Sequence, residues 1–170
     1  MREIAKTSGF AKKTYPPWIV NKMLELDEHP ELEDVVPTKI TDFLRIYIEV
    51  WVISSKEYQE QYWGKQGQWG DNFGETTMTF EEDAENILEE NDPPIEMTPK
   101  QREMLSKLLR IVEEYDGDPS TPLSRYGEND KAIVNDPKWQ EIGKYAKLVY
   151  EELSGDDLDA WEKSRALAKP

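Results

Sequence analysis

The chain is predicted to be all-α, a single compact domain of about five to six helices. Three observations carry this. Apolar residues recur at three- and four-residue spacings through most of the chain. Several of these runs open with a proline or a capping side chain, as at Pro16-Pro17, Thr98-Pro99 and Asp136-Pro137. No Asn-Gly or Asp-Gly pair lies between two alternating runs, where a hairpin would need it. An apolar fraction of 37% against 34% charged residues is close to the composition of disordered chains, but six Trp, eight Tyr and four Phe supply core material. At 170 residues the chain fits one domain, and a domain of that size buries roughly 70% of its unfolded surface.

The elements follow in order. Residues 1–15 carry Arg2, Lys6, Lys12 and Lys13 against Glu3, a basic arm ended by Pro16-Pro17. Trp18, Ile19, Met23, Leu24 and Leu26 then predict a short helix with Pro17 in its first turn. Glu25, Asp27, Glu28, Glu31, Glu33 and Asp34 form an acidic stretch that Pro30 and Pro37 break into a loop. Residues 1–37 are therefore read as arm, short helix and acidic loop, and 38–170 as the helical domain.

Residues 38–63 are the most apolar segment. Ile40, Phe43, Leu44, Tyr47, Val50, Trp51, Tyr58 and Tyr62 have helical spacing, whereas Leu44, Ile46, Ile48, Val50 and Val52 alternate and are largely β-branched, giving strand character around 44–53. The helix-favouring run SSKEYQEQYW that follows favours helix. A loop punctuated by Gly64, Gly67, Gly70 and Gly74 comes next. Thr79 with Glu82 reads as a capping box opening a helix through Phe80, Ala84, Ile87 and Leu88, which Asn91-Asp92-Pro93-Pro94 ends.

Thr98, Pro99 and Gln101 open a further helix whose buried face is Met104, Leu105, Leu108, Leu109, Val112 and Tyr115, with Gly117 after its end. Residues 116–135 hold turn clusters and one short helical piece. Asp136-Pro137 starts a helix with Trp139, Ile142, Ala146, Val149, Tyr150 and Leu153 on one side, closed by Gly155; a last helix runs through Leu158, Trp161 and Leu167.

With a net charge of −15 and a pI near 4.5, direct binding to nucleic acid or an anionic membrane is disfavoured, because both are polyanions. The absence of cysteine removes disulfides, thiolate metal sites and cysteine nucleophiles. No run approaches the roughly 20 apolar residues of a membrane span, and the start MREIAKTSGFAKKTYPP lacks the apolar core of a secretory signal. A cytoplasmic location is the expectation.

The charge is not spread evenly. Between Lys65 and Lys100 the chain has Asp71, Glu75, Glu81, Glu82, Asp83, Glu85, Glu89, Glu90, Asp92 and Glu96, and no lysine, arginine or histidine. Glu81, Glu82 and Asp83 in the first turn of the helix read from Thr79 would suit its dipole, but Glu89, Glu90 and Asp92 near the other end oppose it. Charge selected for the surface is the reading that covers both ends. Such a field attracts basic proteins and speeds encounter with them. Within the glycine-rich loop WGKQGQWGDNFG, the aromatics either fold back on the core or stand out as anchors with an acidic rim. The partner-binding set is accordingly Trp69, Asp71, Phe73, Glu75, Glu81, Glu82, Glu85, Glu89, Glu90 and Asp92.

Enzymatic motifs fit poorly. His29 is the single histidine, so the usual zinc sets and a Ser-His-Asp triad are not available. A calcium loop from Asp116 fails at its sixth and twelfth positions, which are Thr121 and Gly127. The glycine-rich loop has neither a dinucleotide nor a phosphate-loop order. No catalytic residue, metal ligand or cofactor is assigned.

Two stretches, SSKEYQEQYWGKQGQWGDNFGETTMTFEEDAENIL at 54–88 and NDPKWQEIGKYAKLVYEEL at 135–153, resemble in pattern and character the small acidic helical proteins encoded beside bacterial toxins as their immunity partners. That resemblance implies a non-enzymatic inhibitor that neutralises a basic protein such as a toxin nuclease. A DNA-mimicking regulator or anti-defence protein, and a small-ligand or enzymatic domain, are the alternatives that the sequence leaves open, together with the oligomeric state.

Overall fold

The structure, a computed structural model, describes residues 14–63, 72–89, 94–122 and 130–168. Within them the chain forms α1 (Pro17–Glu28), α2 (Leu44–Ser54), α3 (Lys56–Tyr62), α4 (Phe73–Leu88), α5 (Pro99–Asp116), α6 (Asp130–Val134), α7 (Pro137–Ser154) and α8 (Leu158–Ala168). Short 3-10 turns at Pro30–Asp34 and Ile40–Asp42 lie between α1 and α2. The fold is all-α, and its helices make one compact domain. The basic segment 1–13 lies outside the described residues.

Four helices form a ring: α2 packs on α7 and α4, and α5 packs on the same two from the other side. The central member, α2, buries Leu44, Ile46, Tyr47, Glu49, Val50, Trp51, Val52 and Ile53, so almost its whole circumference is covered. This resolves the strand-like alternation of 44–53. A helix buried all round needs no polar stripe, and its sequence then loses the signature that distinguishes it from a buried strand. Residues 38–63 are nevertheless not one helix. Ser55 ends α2 and, by accepting the Tyr58 amide at 3.1 Å on its Oγ, caps α3.

Two contacts fix α2 against α7. Gly143 faces the end of α2 so closely that a Cβ there would lie 3.2 Å from the Ile53 carbonyl oxygen. Beside it, Gln59 of α3 is 3% exposed and has its amide fully used. Its Nε2 donates to the Val52 and Ile53 carbonyls at 2.8 and 2.9 Å, and its Oε1 accepts the Trp139 indole N–H at 3.1 Å. The last carbonyls of α2 thus find a donor although the helix stops inside the protein.

The other helices attach through aromatic contacts and caps. Trp18 of α1 stacks on Tyr47 with ring centroids 3.7 Å apart, and the Trp18 amide donates to Asp156, which also accepts the Tyr150 hydroxyl. Ile19, Val20 and Met23 place α1 in the same core as the ring. Trp161 of α8 meets Trp51 edge-on. The Thr98–Gln101 capping box, Pro99, the Asp136 cap and Pro137 stand as the sequence predicts. Gly155 closes α7 with φ +80°, the left-handed conformation, whereas Gly117 follows α5 at φ −87° and makes no left-handed cap.

Gln59→Leu leaves the Trp139 N–H and the α2 carbonyls without these partners. It is expected to lower stability by about 3 kcal/mol, measured by urea unfolding; a loss below about 0.5 kcal/mol, the range of ordinary surface changes, would show that the bridge does not matter.

Candidate functional site: the acidic helix

The acidic helix starts earlier than the sequence suggests. α4 begins at Phe73, and its cap is Asn72, whose Oδ1 accepts the Glu75 amide at 2.8 Å. Thr79 is inside the helix, its hydroxyl donating to the Glu75 carbonyl at 2.7 Å, so the Thr79–Glu82 capping box does not form. Gly74 and three threonines make GETTMT a weak helix former. Burial of Phe73, Thr76 and Thr77 against the core overrides that preference. As a consequence Glu81, Glu82, Asp83 and Glu85 lie in mid-helix and Glu89 is the C-terminal cap residue. Only Glu75 stands in the first turn. The helix dipole therefore accounts for little of the acid content.

Phe73 is corrected from surface anchor to core residue. It is 1% exposed and sits among Trp139, Trp63 and Tyr115, with ring centroids 4.9, 5.9 and 5.9 Å away. Phe73 packs on the core because a benzyl group gains more from such a cluster than from water. Trp69, Asp71, Glu90 and Asp92 lie outside the described residues.

The remaining acids sort by direction around α4. Phe73, Thr76, Thr77, Phe80, Ala84 and Ile87 form the buried face. Opposite them Glu75, Met78, Glu82, Glu85 and Glu89, spaced by three or four residues, make one exposed stripe. None of these four glutamates forms an ion pair among the described residues. Met78, 49% exposed, places an apolar side chain in the middle of the stripe. The sequence reading missed it, since its position between Glu75 and Glu82 is visible only once the helix is extended to Phe73.

Two further acids on the flanks of α4 do structural work. Towards α2, Asp83 accepts a two-pronged contact from Arg45, Nε and Nη2 donating at 3.1 and 3.0 Å. Beside this pair Glu49 of α2 is 7% exposed, and burial, then its hydrogen bond and repulsion with Asp83, push its carboxyl up to about 9. Towards α5, Glu81 is half-buried; burial, then contact with Asp116 and the charges of Glu113 and Glu85, push it up to about 8. Glu81 thus belongs to a helix–helix contact more than to the free stripe. Arg102 of α5 completes the attachment, donating to the Leu88 carbonyl at the end of α4 at 3.3 Å and to the Ile95 carbonyl at 3.1 Å.

Elsewhere, His29 is exposed beside Glu31 at 3.2 Å. Asp118 holds a turn by accepting from the Ser120 amide and hydroxyl, and it pairs with Lys138. An open depression along α5 is lined by Ser106, Leu109, Arg110, Glu113 and Glu114. Among the described residues no group of three or more His, Cys, Asp or Glu side chains is arranged to hold a metal ion. No described helix is long and apolar enough to cross a membrane.

Two predictions follow from this geometry. Phe73→Ala is expected to cost about 3–5 kcal/mol in unfolding free energy, the range for a buried aromatic; a surface anchor would cost almost nothing. The second concerns pH. Glu49 and Glu81 ionise near 4.5 when unfolded but at about 9 and about 8 when folded, so between these values the native state holds more protons. Stability from these groups is therefore complete below pH 4.5 and is lost progressively as pH rises from there to about 8 and about 9. The urea midpoint should be lower at pH 9 than at pH 5.5, and Glu49→Gln should narrow the difference; a midpoint independent of pH in the unaltered protein would contradict the assignment.

No protein-family model, no curated protein and no solved structure matches this chain, so the site rests on its own geometry.

Proposed function

We propose that the protein is a non-enzymatic inhibitor of the immunity type, which neutralises a basic protein by docking the outer face of α4 against it. The observation that supports this most directly is the stripe Glu75, Met78, Glu82, Glu85 and Glu89: exposed, without ion pairs among the described residues and directed away from the core. Unpaired acids on one face repel each other and do little for the fold, but they match the lysines and arginines of a surface built to grip phosphates. Glu82, Glu85 and Glu89 would meet such an array at successive turns, and Met78 would supply the apolar contact once assigned to Phe73. Charge would speed association, and the apolar contact would slow release. A toxin nuclease is the partner class that fits; Trp69, Asp71, Glu90 and Asp92, assigned to the same set from the sequence, lie outside the described residues. A nucleic-acid mimic aimed at a host protein would use the same face, and the identity of the captured protein separates the two.

The test is affinity capture from the native organism, eluted by rising salt and identified by mass spectrometry. One basic protein released as salt increases is the expected result. Replacing Glu82, Glu85 and Glu89 together by lysine should weaken that complex by about 100-fold or more, since it turns attraction into repulsion at three positions, while circular dichroism shows the helices retained. Unchanged affinity in the folded triple variant would sink the electrostatic reading.

A further inference from the structure

A second concentration of acid begins in the last turn of α1. Glu25, Asp27, Glu28, Glu31, Glu33 and Asp34 fall within ten residues whose one basic side chain is His29. Carboxylates at the C-terminal end of a helix oppose its dipole, and the last turn of α1 contains no basic residue. Lys22 reaches Glu25 at 4.0 Å and His29 lies 3.2 Å from Glu31. Asp27, Glu28 and Asp34 form no ion pair among the described residues. Apolar side chains share this place. Every residue from 28 to 39 is exposed, and Leu32, Val35 and Val36 are 36, 56 and 67% exposed. The loop is nonetheless held in position. Asp42 accepts the Thr38 and Lys39 amides at 3.0 Å each, and the Glu96 backbone bonds to Thr38 and Ile40.

We propose that this acidic and apolar face is covered in cis by residues 1–13, the basic arm outside the described residues, running back along α1 to reach it. The charges match: Arg2, Lys6, Lys12 and Lys13 stand against Glu3 alone. Met1, Ile4 and Phe10 supply apolar side chains for Leu32, Val35 and Val36. The lengths match as well. The root of the arm is fixed where Tyr15 packs against Trp51 and Tyr58, ring centroids 5.4 and 6.3 Å away, just before α1 starts at Pro17. The 12 residues of α1 rise about 18 Å, a distance that about six extended residues cover at ~3.3 Å each. Lys12 and Lys13 then lie beside α1, and Arg2, Ile4 and Lys6 arrive at the loop. Single exposed ion pairs contribute little, but a tether this short holds the arm at an effective concentration of roughly millimolar. Several weak contacts made together suffice at that concentration. A foreign basic surface then meets the loop only by displacing the arm, whereas the α4 stripe stays uncovered. The inference is independent of what α4 binds.

The chain has no cysteine, so Ala5→Cys carries a nitroxide at a single site on the full chain. Paramagnetic broadening of the amide NMR signals then maps where the arm rests. At about 0.1 M salt, where the screening length is ~10 Å, the signals of residues 31–36 should be lost and those of Glu82, Glu85 and Glu89 kept. At about 1 M salt, where it falls to ~3 Å, the lost signals should return. They should also return at low salt when Arg2→Glu and Lys6→Glu are added. Nitroxide-bearing chains mixed with nitrogen-15 chains that lack the nitroxide should broaden nothing, since the contact lies within one chain. Broadening centred on the α4 stripe or on another face, or present in the mixed sample, would overturn the proposal. So would signals of residues 31–36 that stay sharp, or that respond to neither salt nor charge reversal.

Discussion

Gln59 stands where three elements meet, and the geometry of the domain depends on its amide. It takes up the last carbonyls of α2 on one side and the indole of α7 on the other. Without a donor there, α2 would have to end in water, and it could not be buried along almost its full length. Gly143 acts at the same junction: a Cβ there would lie 3.2 Å from the Ile53 carbonyl oxygen, so a side chain would press on the end of α2. With the α2–α7 contact set, the remaining sides of the ring follow: α4 lies on one flank of α2, and α5 closes the square. The aromatic cluster of Trp63, Phe73, Tyr115 and Trp139 ties these pieces together and draws the first turns of α4 into helix.

The acidity of the chain has two physical characters that composition merges. Some acids sit within the structure: Asp83 paired with Arg45, Glu49 buried on α2, and Glu81 half-buried on the α5 side of α4. Burial favours the neutral form of the Glu49 and Glu81 carboxyls. The others, on the outer stripe, are exposed and form no ion pair among the described residues. The first group lends α4 its position and the second its field. A helix used as a charged docking face needs both, because a field is specific only when the charges that make it are held in a fixed array.

Much of the fold was legible. Helix starts marked by a proline beside a capping side chain, at Thr98 and Asp136, stand where the sequence places them, because capping is local chemistry within one turn. Failures occurred where a distant contact overrode local preference. GETTMT lacks helix propensity and is helical because Phe73 is buried; Ser55 divides an otherwise continuous pattern because Gln59 turns back on α2. Phe73 looked like a surface anchor because a glycine-rich, acidic neighbourhood says nothing of the three aromatic rings brought to it from elsewhere in the chain.

By itself, then, the sequence determined the helical class, the capped boundaries, the acidic character of the segment around α4 and the mismatch with common catalytic motifs, all properties of residue type and near-neighbour spacing. Only the tertiary structure decided which acids are free and which are spent. Arg45 lies 38 residues from Asp83, and Asp116, at the end of α5, is separated from Glu81 by the rest of α4, the connecting segment and the whole of α5. Whether a carboxylate is hydrated, paired or protonated depends on what packs beside it in space, and for α4 those neighbours come from helices on both sides of it in sequence.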